Sequence, residues 1–180
     1  RHYGRRRGVE DVELSVAEGS LFGFLGPNGS GKSTTIRMLL GFLRPSSGSA
    51  RIFGRDCWSE GPTARRHVGY VPGDLRLPPW LTARTAIKLV GQVRGEDVTS
   101  HGVALTERFA LDPDVPVRKM SRGMRQKVGL IMAIAPQPRL LVLDEPTSGL
   151  DPLMQDELAA ILREQSAAGR TCLLYTSPTP

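Results

Sequence analysis

The chain has 180 residues, 39% of them apolar and 23% charged, which is enough to bury one hydrophobic core and too apolar for a disordered tail. Its net charge of +6 is the balance of 24 basic and 18 acidic residues, so charge alone does not indicate a polyanionic partner. We therefore expect one globular domain, or most of one.

The spacing of the cysteines, histidines and apolar residues excludes several further classes of protein. The two cysteines lie far apart and the three histidines lack metal-ligand spacing, which excludes a disulfide framework and a zinc ribbon and favours a reducing compartment. The longest apolar run, residues 128–135, is far below the roughly 18 residues that a membrane helix needs. We expect a cytosolic chain without a membrane span.

The first part of the chain alternates between strand and helix patterns. Residues 12–16 show the period-2 alternation of a half-buried strand, and residues 21–25 form an apolar run typical of a strand buried on both faces. A glycine-punctuated loop leads to a predicted helix over residues 32–40, which Gly41 closes. Two short strands are predicted next, over residues 49–53 and 68–71.

Residues 72–121 differ in composition and are rich in Pro, Arg and Thr. Helix-like patterns around residues 83–93 and 103–109 indicate an inserted, mainly helical subdomain. Ser121 is the predicted N-cap of a helix that continues through Ala135.

The last part returns to alternating strand and helix. The apolar run 140–143 predicts a buried strand that ends in an Asp-Glu pair. Asp151 is the predicted cap of a helix with Pro152 at its first position and Gly169 at its end. A further strand is expected to begin at residues 172–175.

The glycine-rich loop carries the clearest chemical motif. Its residues satisfy the P-loop pattern G-x-x-x-x-G-K-[ST] and lie between a buried strand and a helix: Gly26, Pro27, Asn28, Gly29, Ser30, Gly31, Lys32 and Ser33. Such glycines let main-chain N–H groups wrap around phosphates at a helix N-terminus. Lys32 is expected to reach the β- and γ-phosphates, and the Ser33 hydroxyl to bind Mg²⁺. A chance Lys-Ser after a glycine-rich turn is the weaker interpretation.

A second motif supplies acidic groups. The apolar strand 140–143 delivers Asp144 and Glu145 to the sheet edge where ligands bind in such folds. Asp144 can hold Mg²⁺ through water, and Glu145 can act as general base for the attacking water. A solvated acidic turn explains an isolated Asp-Glu, but poorly explains one that accompanies a P-loop.

Two further motifs make a family resemblance specific. Residues 120–126 (MSRGMRQ) stand ahead of a predicted helix, and Ser148, Gly149, Leu150 and Asp151 follow the Asp-Glu-Pro run. With the two phosphate-site motifs, and in this order, they resemble the signature and D-loop of the nucleotide-binding subunit of ABC transporters. The resemblance covers the chain from Tyr3 to about residue 171.

The resemblance implies an α/β P-loop NTPase fold with an N-terminal antiparallel β portion. A RecA-like parallel sheet core is expected over about residues 1–76 and 136–171, and the helical subdomain over about residues 77–135. All of these form a single ABC ATPase domain.

The resemblance also implies ATP and Mg²⁺ as cofactors. ATP would contact the segment from Gly26 through Thr34, and Tyr3 would stack on adenine or merely pack at the start of the chain. The signature residues Ser121, Arg122, Gly123 and Met124 would meet the ATP of a partner subunit, identical or homologous. Ser121 opens a helix whose positive end suits a γ-phosphate.

Two departures from the family pattern are visible. The signature reads Ser-Arg-Gly-Met instead of Ser-Gly-Gly-Gln, which is similar to the subgroup paired with ABC-2-type permeases, including drug exporters. After the strand at 68–71, Gly73 and Asp74 stand where the family has a Gln that binds Mg²⁺. Asp74 is either a substitute oxygen ligand or only a turn residue.

The end of the chain departs as well. The family's switch His would fall at Ser177, and residues 172–177 resemble one reading frame of a transposase adapter used in preparing sequencing libraries, so we expect residues 172–180 to be translated adapter. We therefore expect a fragment with a tail that is not native, and the start at Arg1, without Met, also resembles a fragment edge.

The function that these residues indicate is an ATPase subunit that powers export by a separate transmembrane permease. It would lie in the cytoplasm, peripheral on the inner face of the cell membrane through that permease, and no specific nucleic-acid partner is expected. One alternative is an ABC ATPase acting on ribosomes or nucleic acid, which only the basic isoelectric point favours. Another is an ATP-binding module with little hydrolysis, since the usual Gln and the switch His are missing.

Overall fold

The structure is a computed structural model that describes residues 2–3, 6–7, 9–26 and 30–176. The described residues form eight strands, six α-helices and one 3₁₀ turn; six of the strands precede the inserted helices and two follow them. Their bounds are β1 His2–Tyr3, β2 Arg6–Arg7, β3 Leu21–Leu25, α1 Lys32–Leu39, β4 Arg51–Ile52, β5 Arg55–Asp56, α2 Gly61–Arg65, β6 Val68–Val71, α3 Ala83–Arg94, α4 Thr99–Arg108, the 3₁₀ turn Val117–Lys119, α5 Arg122–Ile134, β7 Leu140–Asp144, α6 Pro152–Ala167 and β8 Thr171–Thr176.

The centre of the fold is a four-stranded parallel sheet in the order β3-β8-β7-β6. Two small antiparallel pairs, β1 with β2 and β4 with β5, accompany it among the described residues. Helix α1 connects β3 to the β4–β5 pair, the β1–β2 pair precedes β3, and α3, α4 and α5 lie between β6 and β7 in the chain. The predicted α/β class, with a parallel sheet, antiparallel strands and an insertion of helices, is confirmed.

The sheet separates two hydrophobic clusters because successive side chains of a strand point to opposite faces. Leu141, Leu143 and Cys172 face the larger cluster, to which α3, α4, α5 and α6 contribute. On the other face, Val142 and Tyr175 pack in a smaller cluster with α1 and β4. Burial on both faces explains why β7 reads as an uninterrupted apolar run.

An ion-pair network fixes the inserted helices on the last helix. Arg108, at the end of α4, donates to Glu157 at 2.5 Å and to Glu164 at 2.5 and 2.9 Å. Both glutamates lie on α6. This network holds the end of α4 on α6, and α4 also packs against α5.

Two strand predictions are wrong in part. Residues 12–16 form no strand, because β3 pairs only with β8 among the described residues and the segment has no ladder partner. The segment packs against the sheet without joining it, since Val16 packs against the smaller cluster. β3 forms as predicted but is not buried on both faces: Leu21 is 43% and Leu25 74% exposed, as an edge strand allows.

The other predicted elements are confirmed with shifted bounds. The strand expected over residues 49–53 is limited to β4, while β6, α1, α3, α5, β7 and α6 lie where the patterns place them. Residues 172–176 lie in β8, between β3 and β7. Whether residues 172–180 are native stays a prediction, and Ser177 lies outside the described residues.

Among the described residues, no helix is both long enough and apolar enough to cross a lipid bilayer.

Candidate functional site

The candidate site lies at the carboxyl edge of the parallel sheet, where ligands of such folds bind. In the strand register Phe24 of β3 pairs with Tyr175 of β8, and Tyr175 pairs with Asp144 of β7. Strands are about 4.8 Å apart, so the backbones of Phe24 and Asp144 are about 10 Å apart. The glycine-rich loop that starts at Gly26 and the acidic pair therefore emerge from neighbouring points of one edge.

The loop closes tightly around its own lysine. Lys32, at the start of α1, is only 7% exposed, and its ammonium donates a hydrogen bond to the Gly26 carbonyl. Gly31 has a φ of +89°, a conformation that favours glycine. A Cβ at Gly26 would lie 2.8 Å from Ser30 Oγ, so a larger residue there would require that hydroxyl to move. Pro27, Asn28 and Gly29 lie outside the described residues.

The N-terminus of α1 has no side chain to cap it. Its N-cap is Gly31, and no acidic residue stands in its first turn. Thr35 closes the helix from inside, with its N–H and hydroxyl bonded to the Gly31 carbonyl at 2.9 and 3.1 Å. Ser33 is exposed and Thr34 half-buried beside this end. The first-turn N–H groups of a helix together with a lysine can form an anion site.

The first acidic residue, Asp144, is half-buried at the end of β7. Burial raises the pKa of its carboxyl above the ordinary value, and the hydrogen bond from the Gly73 amide acts in the opposite direction. The charge of Glu145 raises this pKa further, whereas Lys32 and Arg37 lower it. Asp144 therefore interacts electrostatically with the P-loop lysine and with the neighbouring acid at the same time.

The second acidic residue, Glu145, has an unusual backbone. Its φ is +51°, a left-handed conformation that a non-glycine residue adopts at a cost of order 1–3 kcal/mol. Its N–H donates to the Tyr175 carbonyl at 2.8 Å, which holds the turn against β8. Strain of this kind is found where a side chain must be aimed at a ligand.

Three further residues interact with Asp144, and the sequence patterns singled out only Gly73 among them, without its contact with Asp144. The Gly73 amide donates to the Asp144 carboxylate, and a Cβ at Gly73 would lie 3.3 Å from Asp144 Cγ. Tyr70 and Arg37 interact electrostatically with each other, and burial and the Asp144 charge raise the pKa of Tyr70. Val71 pairs with Leu143, so the chain that follows β6 had to lie beside Asp144. The pairing of β6 with β7 is the information needed to predict these neighbours of Asp144.

Two further predicted site residues are Asp74, which contacts a neighbouring arginine, and Tyr3, whose side chain lies outside the described residues. The Asp74 side chain is 81% exposed and accepts hydrogen bonds from Arg76 at 2.8 and 3.0 Å. This contact is typical of a turn residue, and the use of Asp74 as an oxygen ligand stays a prediction. The backbone of Tyr3 belongs to β1, but its side chain lies outside the described part.

The signature and D-loop segments are brought together. Ser121 caps α5 by accepting from the Met124 N–H at 3.2 Å, and Arg122 donates to Ser148 Oγ at 2.6 Å. A Cβ at Gly123 would lie 2.3 Å from the Gly149 carbonyl oxygen, so the two segments touch through their main chains. On the far side of the D-loop, Leu150 is buried. Asp151 caps α6 through the Met154 N–H at 3.0 Å.

These donors fit a triphosphate and a hard divalent cation. Main-chain N–H groups and Lys32 suit phosphate oxygens, while the Ser33 hydroxyl and the Asp144 carboxylate are the oxygen donors that Mg²⁺ accepts beside phosphates and water. Within the described ranges, no cluster of three or more His, Cys, Asp and Glu side chains could hold a metal ion alone. The site fits a cation that arrives with its phosphates.

Comparison with known proteins agrees with this geometry. A family model described as ABC transporter matches residues 9–148. The chain is similar to the daunorubicin/doxorubicin resistance ATP-binding protein DrrA of Streptomyces peucetius, with 38% identity over 97% of this chain and 54% of the relative. It is also similar to the Nod factor export ATP-binding protein I of Ralstonia nicotianae, with 36% identity over 98% of this chain and 56% of the relative.

A solved structure of the ATP binding subunit of an ABC transporter superposes with a TM-score of 0.88 and 33% identity, covering 98% of this chain and 75% of that one. The chain spans about half the length of the curated relatives it matches.

Proposed function

This chain belongs to the ABC transporter family, and we propose that it is the ATP-binding and ATP-hydrolysing part of an export system whose permease is a separate polypeptide. The observation that carries the proposal is the uncapped start of α1 with the buried Lys32 beside it, opposite Asp144. These groups provide positive charge and oxygen ligands where the phosphates and their cation would lie.

Each site residue has a role in this proposal. The segment from Gly26 through Thr34, including Asn28, Gly29 and Ser30, would surround the phosphates with main-chain N–H groups, and Pro27, which has no N–H, would only shape the loop. Lys32 neutralises the β- and γ-phosphates, and Tyr3 stacks on the adenine. Ser33 and Asp144 hold Mg²⁺, Asp144 through water, and the cation supplies charge neutralisation when bound.

Glu145 acts as the general base. Its carboxylate accepts a proton from the water that attacks the γ-phosphate, while the strained turn at φ +51° and the bond from its N–H to Tyr175 fix its direction. Asp144 would hold the cation: burial raises the pKa of its carboxyl, while the Gly73 amide and Lys32 act in the opposite direction and favour the ionised form. The two adjacent acids thus have separate tasks.

A partner subunit completes the site. The cap of α5 at Ser121, with Arg122, Gly123 and Met124, would contact the γ-phosphate bound by the partner, which is this chain or a homologous subunit. Arg118, Lys119 and Arg125 surround that helix start and make no ion pair within the described part of the chain, so this surface is basic. Closure of two subunits around ATP and their separation after hydrolysis would move the permease.

The permease would contact the inserted helices. A groove of about 850 Å³ lies between α3 and α4 and includes the apolar side chains of Ile87 and Val103. Lys88 and Glu107 stand at its border, and Val103 is 41% exposed. Two relatives are named for export or drug resistance, which supports an exporter and a position on the inner face of the cell membrane. We expect no specific nucleic-acid partner.

The proposal is tested by comparing the wild-type chain with Glu145→Gln. Both should bind ATP with Mg²⁺ equally, because the amide keeps the shape of the carboxylate. Phosphate release should fall by about 10²–10⁴-fold without the general base, and the variant should accumulate as a dimer with ATP. Nucleotide binding by equilibrium dialysis, phosphate release and light scattering measure these effects. A wild-type chain that does not bind ATP would contradict the proposal, and a fully active variant would remove Glu145 from the base role.

A further inference from the structure

The signature helix and the D-loop are in contact at their main chains. Besides the 2.3 Å approach of a Gly123 Cβ to the Gly149 oxygen, Gly149 has a φ of +78°, and a Cβ there would lie 3.2 Å from Arg122 Cγ. Neither position accommodates a larger residue without movement. A displacement of the α5 N-terminus therefore requires a displacement of the D-loop of the same chain.

Two side chains of α5 bind that loop. Arg122 donates from Nη2 to Ser148 Oγ at 2.6 Å, and Gln126, one helical turn later on the same face, donates from Nε2 to the Pro146 carbonyl at 3.2 Å. Gln126 is 6% exposed, whereas Arg122 is exposed. The Gln126 contact is shielded from solvent, whereas solvent and ligands can reach the Arg122 contact.

The loop residue that Arg122 holds is bonded directly to the general-base residue. The Ser148 N–H donates to the Glu145 carbonyl at 3.1 Å and closes the turn 145–148. Glu145 is the first residue of this turn and has the strained backbone. The direction of its side chain matters for the proposed hydrolysis. Two hydrogen bonds in series therefore connect the Arg122 guanidinium with the Glu145 main chain.

We propose that Arg122 is a positioning residue for Glu145, which it orients through Ser148 and the turn 145–148. The inference rests on the proposed function, since it assigns the orientation of the base in that reaction. It gives the cation at this signature position a task within its own subunit, in addition to any contact with the partner's nucleotide. The arrangement connects the surface that receives one ATP with the base that acts on the other.

The first test needs no nucleotide. Amide hydrogen exchange at Ser148 is compared in the wild-type chain, Arg122→Ala, Arg122→Lys and Arg118→Ala, the last being a control that removes an exposed cation with no described side-chain contact. Loss of the Arg122 bond should raise exchange at this amide about three- to tenfold, the range for one exposed hydrogen bond. Lysine should restore part of the protection, and Arg118→Ala should not change it. Unchanged exchange in Arg122→Ala overturns the proposal.

The second test measures ATP hydrolysis in Arg122→Ala, Ser148→Ala and the double variant. Each single change should lower kcat about three- to tenfold and alter the KM for ATP less than about twofold, and the double variant should fall no further than the larger single effect. Ser148→Ala is decisive because it leaves the guanidinium available to a partner's phosphate. Normal kcat in Ser148→Ala, or losses that multiply in the double variant, overturns the inference. A wild-type chain without phosphate release contradicts the proposed function instead, and the exchange test still decides whether Arg122 holds the turn.

Discussion

Helices α1 and α6 both follow a parallel strand of the sheet, yet their N-termini are built in opposite ways. At α6 the Asp151 carboxylate accepts the Met154 N–H at 3.0 Å, and Pro152 has no N–H to offer. At α1 the N-cap is Gly31, without a side-chain cap, and Lys32 follows it. One helix end is closed by an acid of the chain, and the other is the proposed phosphate site. A missing cap alone does not mark a binding site, since α2 and α4 also lack a side-chain cap; at α1 the missing cap is combined with the buried Lys32.

The largest predicted effect concerns the cation at the open helix end. Lys32→Ala should weaken ATP binding more than about tenfold, because a hydrogen bond to a charged group contributes about 1.5–3 kcal/mol. Isothermal titration with Mg²⁺ and ATP measures the change. Lys127→Ala is the matched control, since Lys127 also donates to a carbonyl, that of Phe109 at 2.7 Å, but lies on α5. Equal ATP affinity in Lys32→Ala and wild type would contradict phosphate binding at the start of α1.

Amide hydrogen exchange with saturating ATP should show different protection at the N-termini of α1 and α6. The N–H groups of Ser33 and Thr34 should become protected about tenfold or more, because bound phosphates accept their hydrogen bonds. Those of Leu153 and Met154 at the start of α6 should change much less in the monomer. Measurement below the concentration at which dimers form avoids protection by a partner. Equal protection at both helices would indicate a global effect of the ligand on stability.

The smallest predicted effect concerns the closed helix end. Asp151→Ala should lower the free energy of unfolding by about 1 kcal/mol, the usual cost of a lost N-cap. Asp151→Asn, which retains an oxygen acceptor, should lose much less. Urea unfolding followed by circular dichroism compares the variants, with unchanged m-values as the check on two-state behaviour. Equal losses in both variants would show that the charge, not the cap, stabilises α6.

Motif spacing alone located most of the candidate site. Gly26, Lys32, Asp144 and Ser121 stand where strand-loop-helix patterns put them, and the caps at Ser121 and Asp151 form as predicted. These are local properties, since a cap or a glycine turn depends on residues within one helical turn. Their functional roles remain predictions.

Long-range pairing explains what the patterns missed. Residues 12–16 alternate like a strand but have no ladder partner in the described part of the chain, and the apolar run of β3 occupies an edge with Leu25 74% exposed. Gly73 became a neighbour of Asp144 only through the pairing of β6 with β7. Periodicity records which face of a strand is apolar, but not which strand lies beside it.

The sequence by itself determined the order of strands and helices, the glycine loop and the acidic pair, because each depends on residues close together in the chain. Only the tertiary structure decided that Gly73 donates to Asp144 and that Arg122 reaches Ser148, 26 residues away. Contacts of this range follow from which strands pair and how a helix packs on a loop, and these choices minimise the free energy of the whole chain rather than of any segment.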